Sequence, residues 1–247
     1  MKKLMFAAAA AFCGTVFGLE SANVVGYNKA EMTAGEVIYR VASFESIGST
    51  ESTFTIGDIK VGDADFAWWN NDYIATVDPY GSQETYYTWD PDSSSWYECD
   101  AGSNIDFEKP ANGVALPLNK GIIVFSANGA SLTFAGSVMS GDTELYGGAS
   151  EVTYTGNFTP TELTLGDIVI GDADFAWWNN DYIATIDPYG SQESYYTWDP
   201  DKQSWYACDA GCNVDYDTPA NEVTFDPNMG FIFFTANGAS INIPSPL

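Results

Sequence analysis

The chain contains no histidine. That absence excludes Ser-His-Asp and Cys-His nucleophilic chemistry and the commonest zinc ligand. Acid–base work would rest on carboxylates, as in glycoside hydrolysis, the least favoured of the functional readings. Basic residues are also scarce, with 8 Lys and Arg against 34 Asp and Glu and a formal charge of −26. Such a surface repels nucleic-acid phosphates and anionic membranes, leaving cations, neutral glycans and other surface proteins as partners. Only four cysteines occur, at positions 13, 99, 208 and 212. No stretch after the N-terminus is long and apolar enough to span a bilayer, so membrane insertion is not expected.

What is present begins with an export signal. Lys2 and Lys3 precede an alanine-rich apolar run from Leu4 to Phe17, and the small residues Val16 and Gly18 suit a cleavage before Leu19. The reading is a signal peptide over 1–18 and a secreted or cell-surface chain. Phe12 before Cys13 argues against a lipoprotein. Cleavage leaves an odd number of cysteines in an oxidising compartment, so one thiol is left over or pairs between chains. Cys208 and Cys212 are close enough to close a small loop, and Cys99 with Cys208 is the other pairing.

The main feature is an internal repeat. Gly62 to Thr76 recurs unchanged as Gly171 to Thr185, and Asp78 to Glu84 recurs as Asp187 to Glu193. The match continues through Trp96/Trp205 and Cys99/Cys208 to Ala127–Ser131 and Ala236–Ser240. Upstream the copies diverge, and one gap pairs Phe44 with Tyr154. The expected organisation is all-β: two tandem, homologous β-sandwich-like domains over 19–137 and 138–247, forming two similar globules. Gly121–Ser126 and Gly230–Thr235 read as strands buried on both faces. The Asn128-Gly129 and Asn237-Gly238 steps after them predict tight hairpins into Leu132–Phe134 and Ile241–Ile243.

Several short motifs resemble those of secreted all-β repeat proteins from planctomycete- and verrucomicrobial-type bacteria. They are Ser21-Ala-Asn-Val-Val-Gly-Tyr27 after the signal peptide, a Leu/Ile-Gly-Asp-Ile segment, a Tyr/Trp hairpin, and Asn119-Lys-Gly-Ile-Ile123. The family's Pro-Gly-Glu-Gly-Phe motif is represented by Leu118-Asn-Lys-Gly121-Ile and Pro227-Asn-Met-Gly230-Phe, which keep the glycine and lose the glutamate. The resemblance implies export and an all-β fold, and supplies no activity.

Two sets of residues are candidate sites. Asp63, Asp65 and Asp72, with Asp172, Asp174 and Asp181, offer oxygen ligands for calcium, the one cofactor considered; the alternative is that they cap turns. Trp68, Trp69, Asn70, Asn71 and Tyr73, with Trp177, Trp178, Asn179, Asn180 and Tyr182, put aromatic rings beside amides, the composition of a sugar platform. If the segment is extended, adjacent tryptophans point to opposite faces, so one of each pair lies outside the core. The competing reading makes these rings core or inter-domain packing. Two function classes therefore stand in front: a non-enzymatic structural or adhesive protein of the cell surface or matrix, and a tandem carbohydrate-binding protein.

Overall fold

The computed structural model describes residues 25–41, 44–45, 53–62, 65–78, 82–116, 121–138, 141–171, 175–187 and 191–244. The described chain is all-β. The first repeat comprises β1 (Val25–Met32), β2 (Glu36–Val41), β3 (Phe44–Glu45), β4 (Phe54–Thr55), β5 (Ile59–Val61), β6 (Tyr73–Val77), β7 (Gln83–Asp90), β8 (Ser95–Cys99), β9 (Ile105–Pro110), β10 (Ala115–Leu116), β11 (Gly121–Ser126) and β12 (Ala130–Val138). The second comprises β13 (Thr143–Gly147), β14 (Glu151–Gly156), β15 (Leu163–Thr164), β16 (Val169–Ile170), β17 (Tyr182–Ile186), β18 (Gln192–Asp199), β19 (Ser204–Cys208), β20 (Val214–Pro219), β21 (Thr224–Phe225), β22 (Gly230–Thr235) and β23 (Ala239–Ile243). Strand β12 ends at Val138, one residue past the boundary expected from sequence.

Each repeat places a six-stranded antiparallel sheet opposite a smaller one. The large sheets run β2-β11-β6-β7-β8-β9 and β14-β22-β17-β18-β19-β20. The small sheets are built on β12, paired with β1, β3 and β5, and on β23, paired with β13 and β16. In the first repeat Ala30, Leu132 and Phe134 from the small sheet meet Ile38, Ile74, Trp96, Ile122 and Val124 from the large one in a single buried cluster. The second repeat repeats this with Leu145, Ile241 and Ile243 against Ile183, Trp205, Phe231 and Phe233. Burial of this apolar surface between two sheets is the main stabilising term of the sandwich.

The Asn-Gly steps behave otherwise than their sequence suggests. Gly129 and Gly238 do adopt positive φ, 84° and 85°. The strands they join nevertheless lie in different sheets, β11 and β22 in the large ones and β12 and β23 in the small ones. A hairpin is barred because β11 is already bonded on one edge to β2 and on the other to β6. The turn instead carries the chain across the core.

Strand register also corrects the alignment upstream. Tyr39 faces Ile123, and Tyr154 faces Ile232, its repeat counterpart, so Tyr39 rather than Phe44 is the equivalent of Tyr154. The two tyrosines stack on one another with centroids 5.7 Å apart. The repeats are thus in contact. Val41 of the first repeat is buried in the cluster of the second. Arg40 makes an antiparallel bridge with Met229, and the Asn28 amide donates to Asn228 at 2.8 Å.

Candidate functional site

The identical Trp-Trp-Asn-Asn-Asp blocks fold identically. Trp68–Asn70 and Trp177–Asn179 each form a single 3₁₀ turn, entered from extended Ala67 or Ala176. Asn71 and Asn180 follow at φ 61° and 60°, a left-handed conformation that asparagine tolerates better than most residues. The adjacency argument is conditional on an extended segment, and the segment is instead a 3₁₀ turn. One tryptophan of each pair still reaches solvent, because successive residues of a 3₁₀ turn diverge by about 120°.

An aspartate holds each turn in place. Asp72 is fully buried. Its Oδ2 accepts the Ala67 N–H at 2.9 Å and its Oδ1 the Ala127 N–H at 2.7 Å. Its main-chain carbonyl accepts the Thr88 hydroxyl at 2.7 Å. Asp181 does the same with Ala176 at 3.0 Å, Ala236 at 2.8 Å and Thr197 at 2.7 Å. The clamp ties the turn to the connection after β11 or β22 and to β7 or β18. Burial pushes the Asp72 carboxyl above the usual carboxylate range, against the lowering effect of the main-chain donors. Phe66, buried against Trp96 at 5.6 Å, anchors the near end.

With its base pinned, the turn presents one tryptophan to solvent. Trp69 is 49% exposed and Trp178 is 50% exposed. Trp68, half-buried, lies edge-on to Trp69 at 5.7 Å and to Phe107 of β9 at 6.2 Å. Phe107, 57% exposed, lies 5.4 Å from Tyr97. The result is a strip of rings, Trp69, Trp68, Phe107 and Tyr97, along the β8–β9 edge. The second repeat carries Trp177 and Trp178 at 5.7 Å, and Tyr206 against the exposed Tyr216 at 5.2 Å. There Lys202 Nζ sits 3.4 Å from the Tyr216 centroid and 5.0 Å from that of Tyr206, a cation–π contact that covers part of the surface. In the first repeat Lys109 pairs with Glu98 at 2.6 Å instead.

The residues singled out from sequence divide as follows. Trp69 and Trp178 are exposed, and Trp68 and Trp177 are half-buried beside them. Asn71 and Asn180 are exposed beside them. Asn70 instead donates its side-chain amide to the Asp65 carbonyl within the loop. Tyr73 and Tyr182 belong to separate stacks, with Phe125 at 5.4 Å and Phe234 at 5.0 Å. Asp72 and Asp181 give both carboxylate oxygens to main-chain donors, and Asp65 is exposed. Asp63, Asp172 and Asp174 lie outside the described residues. Among the described residues no group of three or more His, Cys, Asp or Glu side chains is placed to hold a metal ion.

Cys208 and Cys212 come together as free thiols in mutual hydrogen-bond contact, and the Cys212 thiol also lies 3.8 Å from the Asp181 carbonyl. Their contact, together with burial, pushes the Cys208 thiol up. Cys99, also a free thiol, is pushed up to about 12 by burial and the neighbouring Asp100 and Glu98 carboxylates.

Sequence reasoning missed Phe107, Tyr97, Tyr216 and Tyr206. A signal was available: Phe107 and Tyr216 are large rings set among polar and charged neighbours, Asp106, Glu108 and Lys109 in one strand and Asp215, Asp217 and Thr218 in the other. No protein-family model, curated protein or solved structure matches the chain.

Proposed function

We propose that this is an exported, non-enzymatic adhesive protein that binds neutral polysaccharide through one aromatic strip per repeat. The observation that carries the reading is the pinned tryptophan. In both repeats a fully buried aspartate fixes a 3₁₀ turn whose second tryptophan stays half exposed. An exposed indole is apolar area left in water, and a scaffold that holds it rigidly lowers the entropy lost when a ligand covers it. Flat aromatic faces pack against the C–H faces of a sugar ring, and the amides of Asn71 and Asn180 are exposed nearby for its hydroxyls. The charge of −26 favours an uncharged glycan over a polyanion. Export rests on the Lys2–Gly18 segment, and the family resemblance agrees with it.

The test is retention of the full-length mature protein on insoluble cellulose, xylan, mannan and amylose. Trp69→Ala, Trp178→Ala and the double variant are compared with the parent. The parent is expected to be retained on at least one polysaccharide and the double variant to be lost. Each single change should alter stability by no more than about 0.5 kcal/mol, as for an exposed side chain. Equal retention of parent and double variant would sink the reading. Loss of folding on replacing Trp69 or Trp178 would return the rings to a packing role.

A further inference from the structure

We infer, resting on the glycan reading above, that the two strips face away from each other, so the protein bridges separate glycan strands or particles instead of gripping one. The contact between the repeats is isologous, with equivalent surfaces exchanging roles. Tyr39 stacks on its own counterpart Tyr154. Gly121 abuts Tyr154, and its counterpart Gly230 abuts Tyr39. The groove flanked by Glu36, Val37 and Tyr39 is closed by Ile186 and Asp187, and the groove flanked by Glu151, Val152 and Tyr154 is closed by Val77 and Asp78. These pairings describe a pseudo-two-fold axis between the repeats.

The strands in contact place that axis. Across the interface β11 approaches β14 and β22, and β2 approaches β22 and β14. These are the first two strands at one edge of each large sheet. With β11 over β14 and β2 over β22, the sheets overlap along those strands and extend in opposite directions. The aromatic surfaces begin at the tryptophan turns, which pack on β7 and β18, and end at the far edges, where Phe107 is on β9 and Tyr216 on β20, the last strands of their sheets. Neighbouring strands are about 4.8 Å apart, so five intervals place Phe107 and Tyr216 about 24 Å from the contact edge of their sheets. Because the sheets overlap by two strands, β9 and β20 are nine intervals apart, which places Phe107 and Tyr216 about 43 Å from each other at opposite ends of the molecule.

A second binding event on the same strand gains from tethering only where the geometry lets one ligand reach both sites. A stiff polysaccharide held at one end of the molecule does not turn back around it to the other. The second strip stays open for a different strand.

Latex beads coated with cellulose, xylan or mannan test this with the full-length protein. The parent is expected to clump the beads and, in excess, to disperse them again as every site fills separately. Trp69→Ala and Trp178→Ala should still sediment with the beads, within about tenfold of the parent's affinity per remaining site, while clumping falls to the level without protein. If the parent binds without clumping and each single variant loses affinity a hundredfold or more, both strips grip one strand; bridging is then wrong and glycan binding stands. Single variants that clump as well as the parent overturn the two-strip bridge. A parent that binds none of the coated beads overturns the glycan reading itself, and bridging with it.

Discussion

The two repeats keep two blocks without a change, split by Val77 in one copy and Ile186 in the other, and differ more in the rest. Asp72 and Asp181 hold their turns through matched bonds, each within 0.1 Å of its counterpart. Around this shared frame the surface varies. Phe107 becomes Tyr216, Lys109, which pairs with Glu98, becomes Thr218, and Lys202, which lies on the Tyr216 ring, stands where the first copy has Ser93. Ser103, buried in the first copy, becomes Cys212, which meets Cys208. Even the core differs in one bond. The Trp96 indole donates to the Ile59 carbonyl at 3.3 Å, whereas the Trp205 indole N–H has no partner among the described residues. The turn and its clamp are common to both copies, and the aromatic surface around them differs.

The largest expected effect comes from breaking what the copies share. Asp72→Ala and Asp181→Ala each leave two main-chain N–H groups without their acceptor, at about 1–3 kcal/mol per group. Urea unfolding should show both variants destabilised by a similar amount, and a wide gap between them would break the equivalence of the clamps. Asp72 adds a dependence on pH. Its folded pKa is raised by burial, so its contribution is full below the unfolded value of about 3.9 and is lost as pH rises through the folded value. Asp72→Asn should therefore flatten the stability profile in the window just above pH 4.

A smaller effect, with a direction, is expected at the pseudo-two-fold contact. A Cβ on Gly230 would stand 2.8 Å from Tyr39 Cβ and 2.9 Å from its carbonyl carbon. On Gly121 the closest approach is 3.1 Å, to Tyr154. Gly230→Ala should cost about 1–3 kcal/mol by overpacking, and Gly121→Ala less. Denaturation midpoints check the order, and the reverse order would mean that the contact is not built as described.

The smallest expected difference is in the core. Trp96→Phe and Trp205→Phe remove similar volume, but only the first loses an indole hydrogen bond. Trp96→Phe should be the more destabilising by about 0.5–1.5 kcal/mol. Equal losses would mean that Trp205 has a partner of its own.

Much of this was legible in the residues. The duplication, the all-β class and the exposure of one tryptophan per pair follow from identity, alternation and adjacency, which are local properties of a chain. The aspartate clamp was not legible, because the donors it satisfies at Ala127 and Ala236 are far from it in sequence. Nor was Phe107, whose neighbour Trp68 is brought to it only when β9 folds against β8.

By itself the sequence determined that this chain makes short strands, makes them twice, and turns at Asn128-Gly129 and Asn237-Gly238. Only the tertiary structure decided that those turns cross between sheets, that Tyr39 answers Tyr154, and that Phe107 and Tyr216 lie on the last strands of their sheets. The physical reason is that strand propensity and turn geometry are set by neighbouring residues. Which strand edges remain free, and which faces still need covering, is settled only after the other strands have paired.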